Sequence, residues 1–347
     1  MPDLIEIQEN VELAPLTTLG VGGAARYFLE VFTEDELAAA LVWARENGID
    51  VFVLGGGSNI VVADSGFGGL VIKISLMDIC EVARSGDQVE MSVGAGEEWD
   101  GFVAFAVERG LAGVECLSGI PGLVGGTPVQ NVGAYGQEVS ETIVSVRCLD
   151  RKSGAMVELA NGECGFGYRR SIFNSTELNR YIVTNVKFRL AVNGAPKLAY
   201  RELIERFAGQ TPSLGEVREA VLGIRRGKSM VIDPADTNSR SAGSFFKNPL
   251  ITVAKYDELS GLLGEVPKFP AANGMVKVPA AWLIENAGFA KGFVLNRAGI
   301  STKHSLAIVN KGGAGSDDIV ELKELIRSEV ESKFGILLEP EPIFVGF

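Results

Sequence analysis

One histidine, His304, and four cysteines, at 80, 116, 148 and 164 with no C-x-x-C among them, are all that 347 residues offer toward a Cys/His zinc site. Structural zinc needs clustered Cys and His, so no metal site is expected. A disulfide framework is equally unexpected at this length, because Met1-Pro2-Asp3-Leu4-Ile5-Glu6 lacks the basic stretch and apolar run of a secretion signal. There is no apolar run near the ~18 residues needed to span a bilayer, so a soluble, cytoplasmic protein without membrane partners is expected. Without a G-x-S-x-G elbow, any Ser/His/acid triad would have to use His304. Basic residues are also short, 32 against 44 acidic ones for a net charge of −12. That balance excludes nonspecific nucleic-acid binding, which rests on a basic surface neutralising phosphates.

The remainder is globular in composition, with 46% hydrophobic and 22% charged residues, enough chain for two or three domains at ~150 residues each. Glycine stands out, at 43 residues where an average chain carries ~7%. These glycines follow no three-residue period, so they serve tight turns rather than a collagen-like helix.

Thr33-Glu34-Asp35-Glu36 is a capping box opening an amphipathic helix over Leu37 to Glu46, which Gly48 can close. The strand-like runs Val51–Leu54 and Ile60–Val62 flank the cluster Gly55-Gly56-Gly57-Ser58-Asn59. Further along, 89–93 reads as strand, 97–109 as helix and 110–136 as an extended glycine-rich passage. Strands are expected at 143–149, 156–159, 181–190 and 304–310, and helices at 214–224, 280–286 and 317–333, the last capped by Ser316 and stopped by Gly335. Helices and strands alternate irregularly, which points to an α+β fold rather than a doubly wound sheet.

Two stock nucleotide motifs fail on context. Gly20-Val21-Gly22-Gly23-Ala24-Ala25 matches G-x-G-x-x-A, but a strand-like run, Arg26–Val31, follows where a dinucleotide site needs a helix. Gly223-Ile224-Arg225-Arg226-Gly227-Lys228-Ser229 is one residue short of a phosphate-binding P-loop. Two glycine-rich loops remain. In the first, 55–59, residues without side chains would let backbone N–H groups approach an anion; a flexible turn is the competing reading. The second, 118–136, is long, rich in Gly, Pro, Gln, Asn and Tyr, and has little power to form a core; such loops are uncommon unless functional.

The blocks L-G-G-G-S-N (54–59), S-G-I-P-G-L-V-G-G-T-P-V-Q-N-V-G-A-Y-G (118–136), F-G-Y-R-R-S-I-F (166–173), A-G-S-F-F-K-N-P (242–249) and L-E-P-E-P (338–342) occur in this order. Together they closely resemble the UDP-N-acetylenolpyruvoylglucosamine reductase family, flavoenzymes of peptidoglycan precursor synthesis, over nearly the whole chain. The resemblance implies an α+β protein with a two-part FAD-binding region of the vanillyl-alcohol-oxidase/PCMH type, 1–74 and 75–230, and a C-terminal α+β substrate-binding domain, 231–347. It implies a monomer that uses NADPH to reduce noncovalently bound FAD. The enolpyruvyl ether of UDP-N-acetylglucosamine, UDP-N-acetyl-3-O-(1-carboxyvinyl)-glucosamine, would then accept hydride at C3 and a proton at C2, giving UDP-N-acetylmuramate.

Carried over residue by residue, the resemblance makes Ser244 the proton donor to C2, Arg169 the group that binds the substrate carboxylate, and Glu341 an aid to polarisation there. Hydride addition at C3 leaves charge on C2 that spreads into that carboxylate, which is why the site needs cations or acids beside it and a donor over C2. Out of this context Ser244 would read as a serine satisfying backbone in a tight turn, and Arg169 and Glu341 as solvated or paired charges. Glu339 is the confounder of Glu341 and is expected to be structural. FAD contacts are expected from Gly55, Gly56, Gly57, Ser58 and Asn59, and from Ser118, Gly119, Ile120, Pro121, Gly122, Gly125, Gly126, Gln130, Asn131, Gly133, Ala134, Tyr135 and Gly136. Around the substrate's nucleotide the resemblance places Tyr200, Arg225, Lys228 and Asn248. Tyr168 is either a site aromatic or a core one, and His304 either a substrate contact or a packing residue.

The family often carries arginine two residues after the glutamate; here it is Ile343, so charge support for Glu341 has to come from elsewhere. Arg225, Arg226, Lys228, Arg240 and Lys247 gather positive charge within one short span of an acidic chain, which would suit an anionic substrate. Two other functions fit part of this pattern, an oxidase of the same flavin fold and a non-catalytic nucleotide-sugar or flavin binder. The first would need a base rather than a carbanion proton donor, and the second would not need Ser244.

Overall fold

Capping chemistry starts the first helix where the sequence places it. Thr33 Oγ1 accepts from the Glu36 N–H and the Glu36 carboxylate accepts in return from Thr33 N, which fixes the start of α1, Glu34–Glu46. Gly48, at φ +64°, follows its end. This computed structural model describes residues 5–271 and 274–347. They fall into two units, one built mainly from Ala25–Gly57 and Gly68–Val231, the other from Glu12–Ala24, Ser58–Phe67 and Ile232–Phe347. The second unit thus takes in two stretches, 12–24 and 58–67, that lie N-terminal to the expected boundary at 230/231.

The first unit holds two sheets over one apolar core. In the smaller the strand order is Gln8–Glu12, Ala24–Val31, Phe67–Ile74, Val51–Leu54, with the last two parallel. The larger is antiparallel in the order Met156–Ala160, Ile143–Asp150, Tyr181–Val192, Gln88–Gly94, Ile79–Ser85, and Leu111–Ala112 also pairs with Tyr181–Val192. Helix α2, Trp99–Glu108, buries Trp99, Phe102, Val103 and Ala106. Trp99 and Phe102 stack with Phe188 at centroid distances of 5.0–5.9 Å, and Trp99 Nε1 donates to Leu117 O at the root of the long glycine-rich loop. Two helices not far apart in the chain, α3 (Arg201–Arg206) and α4 (Leu214–Gly227), close over Cys116 through Leu203, Phe207, Val217 and Val221. The Ser213/Glu216 capping box starts α4, and its last turn carries Arg225 and Arg226 where cations favour a helix C-terminus.

The second unit pairs Ile60–Val62 in parallel with Ile343–Val345. It adds the three-stranded sheets Leu250–Thr252/Met275–Lys277/Phe269–Pro270 and Val294–Leu295/Ala298–Ile300/Ile308–Asn310, and helices α5 (Val253–Leu263), α6 (Ala280–Ala287) and α7 (Ser316–Phe334). Ile319, Leu322, Ile326 and Val330 of α7 are buried at helical spacing, and Gly335 at φ +62° ends it as expected.

Three local readings need correction. Ser316 is the first residue of α7 rather than its cap; it is held by Asp64, whose carboxylate accepts from Ser316 N and whose N–H donates to Ser316 Oγ. The strand expected from His304 begins at Ile308, because Ala307 N bonds back to His304 O and turns the chain there. The passage 110–136 is neither extended nor poor in core: Leu117 and Val124 are fully buried in short 3-10 turns, and Ser118, Thr127 and Asn131 are buried with them.

Candidate active site

In the first unit the strand Val51–Leu54 delivers Gly55-Gly56-Gly57 against the second glycine-rich loop. A Cβ on Gly56 would lie 2.7 Å from Gly122 Cα, so the two loops touch main chain to main chain, while Gly57 turns at φ +62°. Cβ atoms on Gly55 or Gly126 would meet nothing, which leaves backbone open to a ligand at both loops. Gly119 is pinned at both ends of its residue: its N–H donates to Asp100 Oδ1 (2.6 Å) and its carbonyl accepts from Arg225 Nε (3.1 Å). Asp100 is in turn gripped by both terminal nitrogens of Arg218, at 2.5 and 2.9 Å. Burial pushes the Asp100 carboxyl up, but the Arg218 and Gly119 donors outweigh it and hold it below its ordinary value. Gly119 therefore shapes the loop, and its main-chain polar groups are already engaged. Ser118 likewise spends its hydroxyl on Glu115 O.

Farther along the same loop, Asn131 and Tyr135 adopt left-handed backbone at φ +42° and +51°, as does Arg169 at +52° on the neighbouring segment. Each such non-glycine residue costs ~1–2 kcal/mol, a strain that persists only where surroundings fix it. Asn131 supplies part of that fixing. Its Nδ2 donates to Glu138 and to Gly167 O, and its Oδ1 accepts from Ser140 N, so its side chain joins the loop to the Arg169 segment. Arg169 Nη2 donates to Gly133 O at 2.9 Å, and its guanidinium lies 5.7 Å from the Tyr168 ring centroid.

The expected nucleotide residues of this unit also come together. Tyr200, just before α3, packs edge-on against Tyr135 with centroids 5.1 Å apart, and burial raises the pKa of both phenols. Lys228 pairs with Glu202 at 3.3 Å. Arg225 is buried, and it holds Gly119 O, Met230 O and the Tyr135 side chain. The apparent basic cluster is largely neutralised, with Arg226 near Glu219 (3.9 Å) and Lys247 paired with Glu339.

The second unit carries Ser58, Asn59, Ser244, Asn248, His304 and Glu341. Gly243 turns at φ +74° into Ser244, after which Phe245 and Phe246 are fully buried. The segment then runs antiparallel to 339–341: Lys247 N donates to Glu339 O and Glu341 N to Phe245 O, both at 2.9 Å. Ser244 thus sits one residue from the Glu341 main-chain contact, and its hydroxyl has no hydrogen-bond partner among the described residues. Asn59 Nδ2 donates to Glu341 O (3.2 Å), and Phe245 N bonds to Leu306 O, which brings the His304 turn alongside. Asn248 accepts from the first N–H of α6. Glu339 is exposed and paired with Lys247.

The FAD binding domain family matches residues 25–160, and the C-terminal domain of UDP-N-acetylenolpyruvoylglucosamine reductase matches 233–345. The reductase of that name from Thermobifida fusca is 46% identical across 97% of both chains, and that from Streptomyces coelicolor is 45% identical across 97% of this chain and 90% of its own. The crystal structure of the Thermus caldophilus reductase superposes with a TM-score of 0.68 at 28% identity, covering 98% of this chain and 99% of that one. The chain belongs to the UDP-N-acetylenolpyruvoylglucosamine reductase family. It is an FAD-dependent oxidoreductase of peptidoglycan precursor synthesis, with the α+β architecture expected of it.

The residues present fit FAD. A reductase of this family must let a dinucleotide approach main chain closely, and the Gly56/Gly122 contact with open backbone at Gly55 and Gly126 is such a cradle. Among the described residues no group of three or more His, Cys, Asp or Glu could hold a metal, and no helix is long and apolar enough to cross a membrane.

Sequence reasoning missed the reductase's supporting residues. Asp100 and Arg218 are 118 positions apart, so no local pattern joins them. Glu115, 1% exposed, accepts from Gly113 N and Lys197 N (both 2.8 Å) and from Gln137 Nε2, and Cys116 Sγ donates to Lys197 O; together they pin the base of the segment leading to Tyr200. A glutamate beside a glycine-rich loop gives no hint of this in the sequence.

Proposed function

We propose that the protein catalyses NADPH-dependent reduction of UDP-N-acetyl-3-O-(1-carboxyvinyl)-glucosamine to UDP-N-acetylmuramate in the cytoplasm, acting as a monomer. Residues 1–74 and 75–230 form its two FAD-binding parts and 231–347 its substrate-binding part. Noncovalently bound FAD, which the loops 55–59 and 118–136 would hold, would supply the redox chemistry that links NADPH to substrate C3.

Arg169 binds the substrate carboxylate and disperses the charge that grows there; the left-handed backbone and the Gly133 contact hold its side chain beside the cofactor loop. Ser244 donates the proton to C2. The unengaged hydroxyl next to the segment 339–341 is the observation that carries this assignment, because a serine doing structural work would be spending its proton on the protein. Glu341 polarises the carboxylate from a main chain fixed by Phe245 and Asn59. Tyr200 and Lys228 bind the diphosphate, and Asn248 and His304 complete the substrate contacts.

Ser244→Ala separates the half-reactions. Bleaching of the flavin by NADPH involves no proton at substrate C2 and should proceed at the wild-type rate, whereas anaerobic reoxidation by the enolpyruvyl substrate should slow by ~10²–10⁴-fold. Ser244→Cys should recover part of that loss. Equal slowing of both steps would reduce Ser244 to a shaper of the pocket, and unchanged reoxidation would assign the proton to another group.

A further inference from the structure

The left-handed backbone of Arg169 is strained, and one residue that restrains it directly lies five positions on. Asn174 closes the short turn Ile172–Asn174 and uses both ends of its amide. Its Oδ1 accepts from Ser171 N (2.9 Å), while its Nδ2 donates to Arg169 O (3.1 Å) and, more weakly, to Gln130 Oε1 (3.4 Å). Ser171 Oγ extends the same link by donating to Val129 O at 2.7 Å. One side chain thus ties the Arg169 peptide to the loop carrying Gln130 and Gly133, and Gly133 O is where the Arg169 guanidinium is anchored. Both the main chain and the side chain of Arg169 are thereby referenced to one loop.

We propose that Asn174 is a positioning residue that sets the reach of Arg169 toward the substrate carboxylate, through its Nδ2 rather than through the cap it provides with Oδ1. The inference rests on the assignment of Arg169 to that carboxylate.

Two variants separate the two ends of the amide. Asn174→Asp keeps an oxygen for Ser171 N but has no donor for Arg169 O, and Asn174→Ala removes both. Calorimetric titration of the holoenzyme with UDP-N-acetylmuramate and with UDP-N-acetylglucosamine, which lacks the carboxylate, reads the consequence at equilibrium. Both variants should bind UDP-N-acetylmuramate roughly tenfold more weakly and UDP-N-acetylglucosamine as the wild type does, since a guanidinium displaced by a fraction of an ångström loses paired, charge-assisted hydrogen bonds. Flavin bleaching by NADPH should be unchanged in both.

Wild-type binding by Asn174→Asp would show that only the cap matters and would overturn the proposal. Equal weakening of both ligands would do so as well, by pointing to general distortion of the loop. Should the alanine variant fail to fold, the aspartate variant, which keeps the cap, still decides. Arg169→Ala tests the underlying assignment separately: if it leaves the preference for UDP-N-acetylmuramate intact, Arg169 is not the carboxylate ligand and the role of Asn174 falls with it.

Discussion

Gly56→Ala is the smallest change that bears on how the cofactor is held. The new Cβ would lie 2.7 Å from Gly122 Cα, 3.1 Å from its carbonyl carbon and 3.2 Å from Leu123 N, where ordinary contact begins at 3.4 Å. All three atoms are main chain, so no side-chain rotation relieves the clash; the loops must separate by roughly 0.7 Å at the closest point. Gly56 has no left-handed φ, so the cost is steric and not conformational. Overpacking of this kind costs ~1–3 kcal/mol. The proposed site has FAD held by the two loops in contact, so that cost is expected in affinity, as a rise in Kd of about 5- to 150-fold. Titration of apoprotein with FAD, followed by flavin fluorescence, measures it, and a thermal melt of the apoprotein checks folding. Gly68→Ala, where a Cβ meets nothing on an exposed strand position, is the matched control and should bind FAD normally. A folded Gly56→Ala protein with wild-type affinity would show that the two loops need not approach each other to hold the cofactor.

The other expectations concern single groups. Glu341→Gln should cripple reoxidation of the flavin by substrate while Glu339→Gln leaves it nearly intact, and the reverse ranking in stopped-flow traces would mean that the wrong carboxylate has been assigned. Tyr200→Phe and Lys228→Ala should raise KM more than they lower kcat in steady-state assays, because a diphosphate contact is equal in ground and transition states; a loss confined to kcat would place them at the reacting centre. The Asp150 carboxyl, accepting from the Arg180 guanidinium and Lys152 N, is held down to about 2 from an ordinary value of ~3.9. A depressed carboxylate stabilises the fold fully above its unfolded pKa and ceases to as pH falls through its folded one. Asp150→Asn should therefore flatten the loss of stability between about pH 4 and pH 2 in urea titrations, and an unaltered acid limb would contradict the assignment.

Elements with local signals were legible in the sequence. The Thr33/Glu36 box, the glycine after α1 and the helical spacing in α7 each act within a turn or two, so they show without a structure. The strand Ile79–Ser85 did not show, since it lies at the edge of its sheet with most of its side chains exposed and no apolar alternation. Helix α5 was hidden for a similar reason: it buries only Leu259 fully, and Ser260-Gly261 reads as a break. At the site, the glycine-rich loops and the three residues proposed as catalytic came from motif order. What gives the loops their shape did not, because Asp100, Arg218, Arg225 and Asn174 act through contacts made by the fold, and a charged or amide residue carries no mark of its distant partner. The same holds for Arg225, which the motif places around the nucleotide and the fold buries against Gly119 and Tyr135.

In the proposed reaction, electrons pass from NADPH through FAD to an enolpyruvyl ether. Anaerobic titration of the purified protein tests it most directly: NADPH should bleach the flavin, and UDP-N-acetyl-3-O-(1-carboxyvinyl)-glucosamine should then restore the colour with one UDP-N-acetylmuramate formed per NADPH consumed. Flavin that stays bleached on addition of this substrate and regains its colour only when oxygen is admitted, with peroxide as the product, would identify an oxidase and contradict the account.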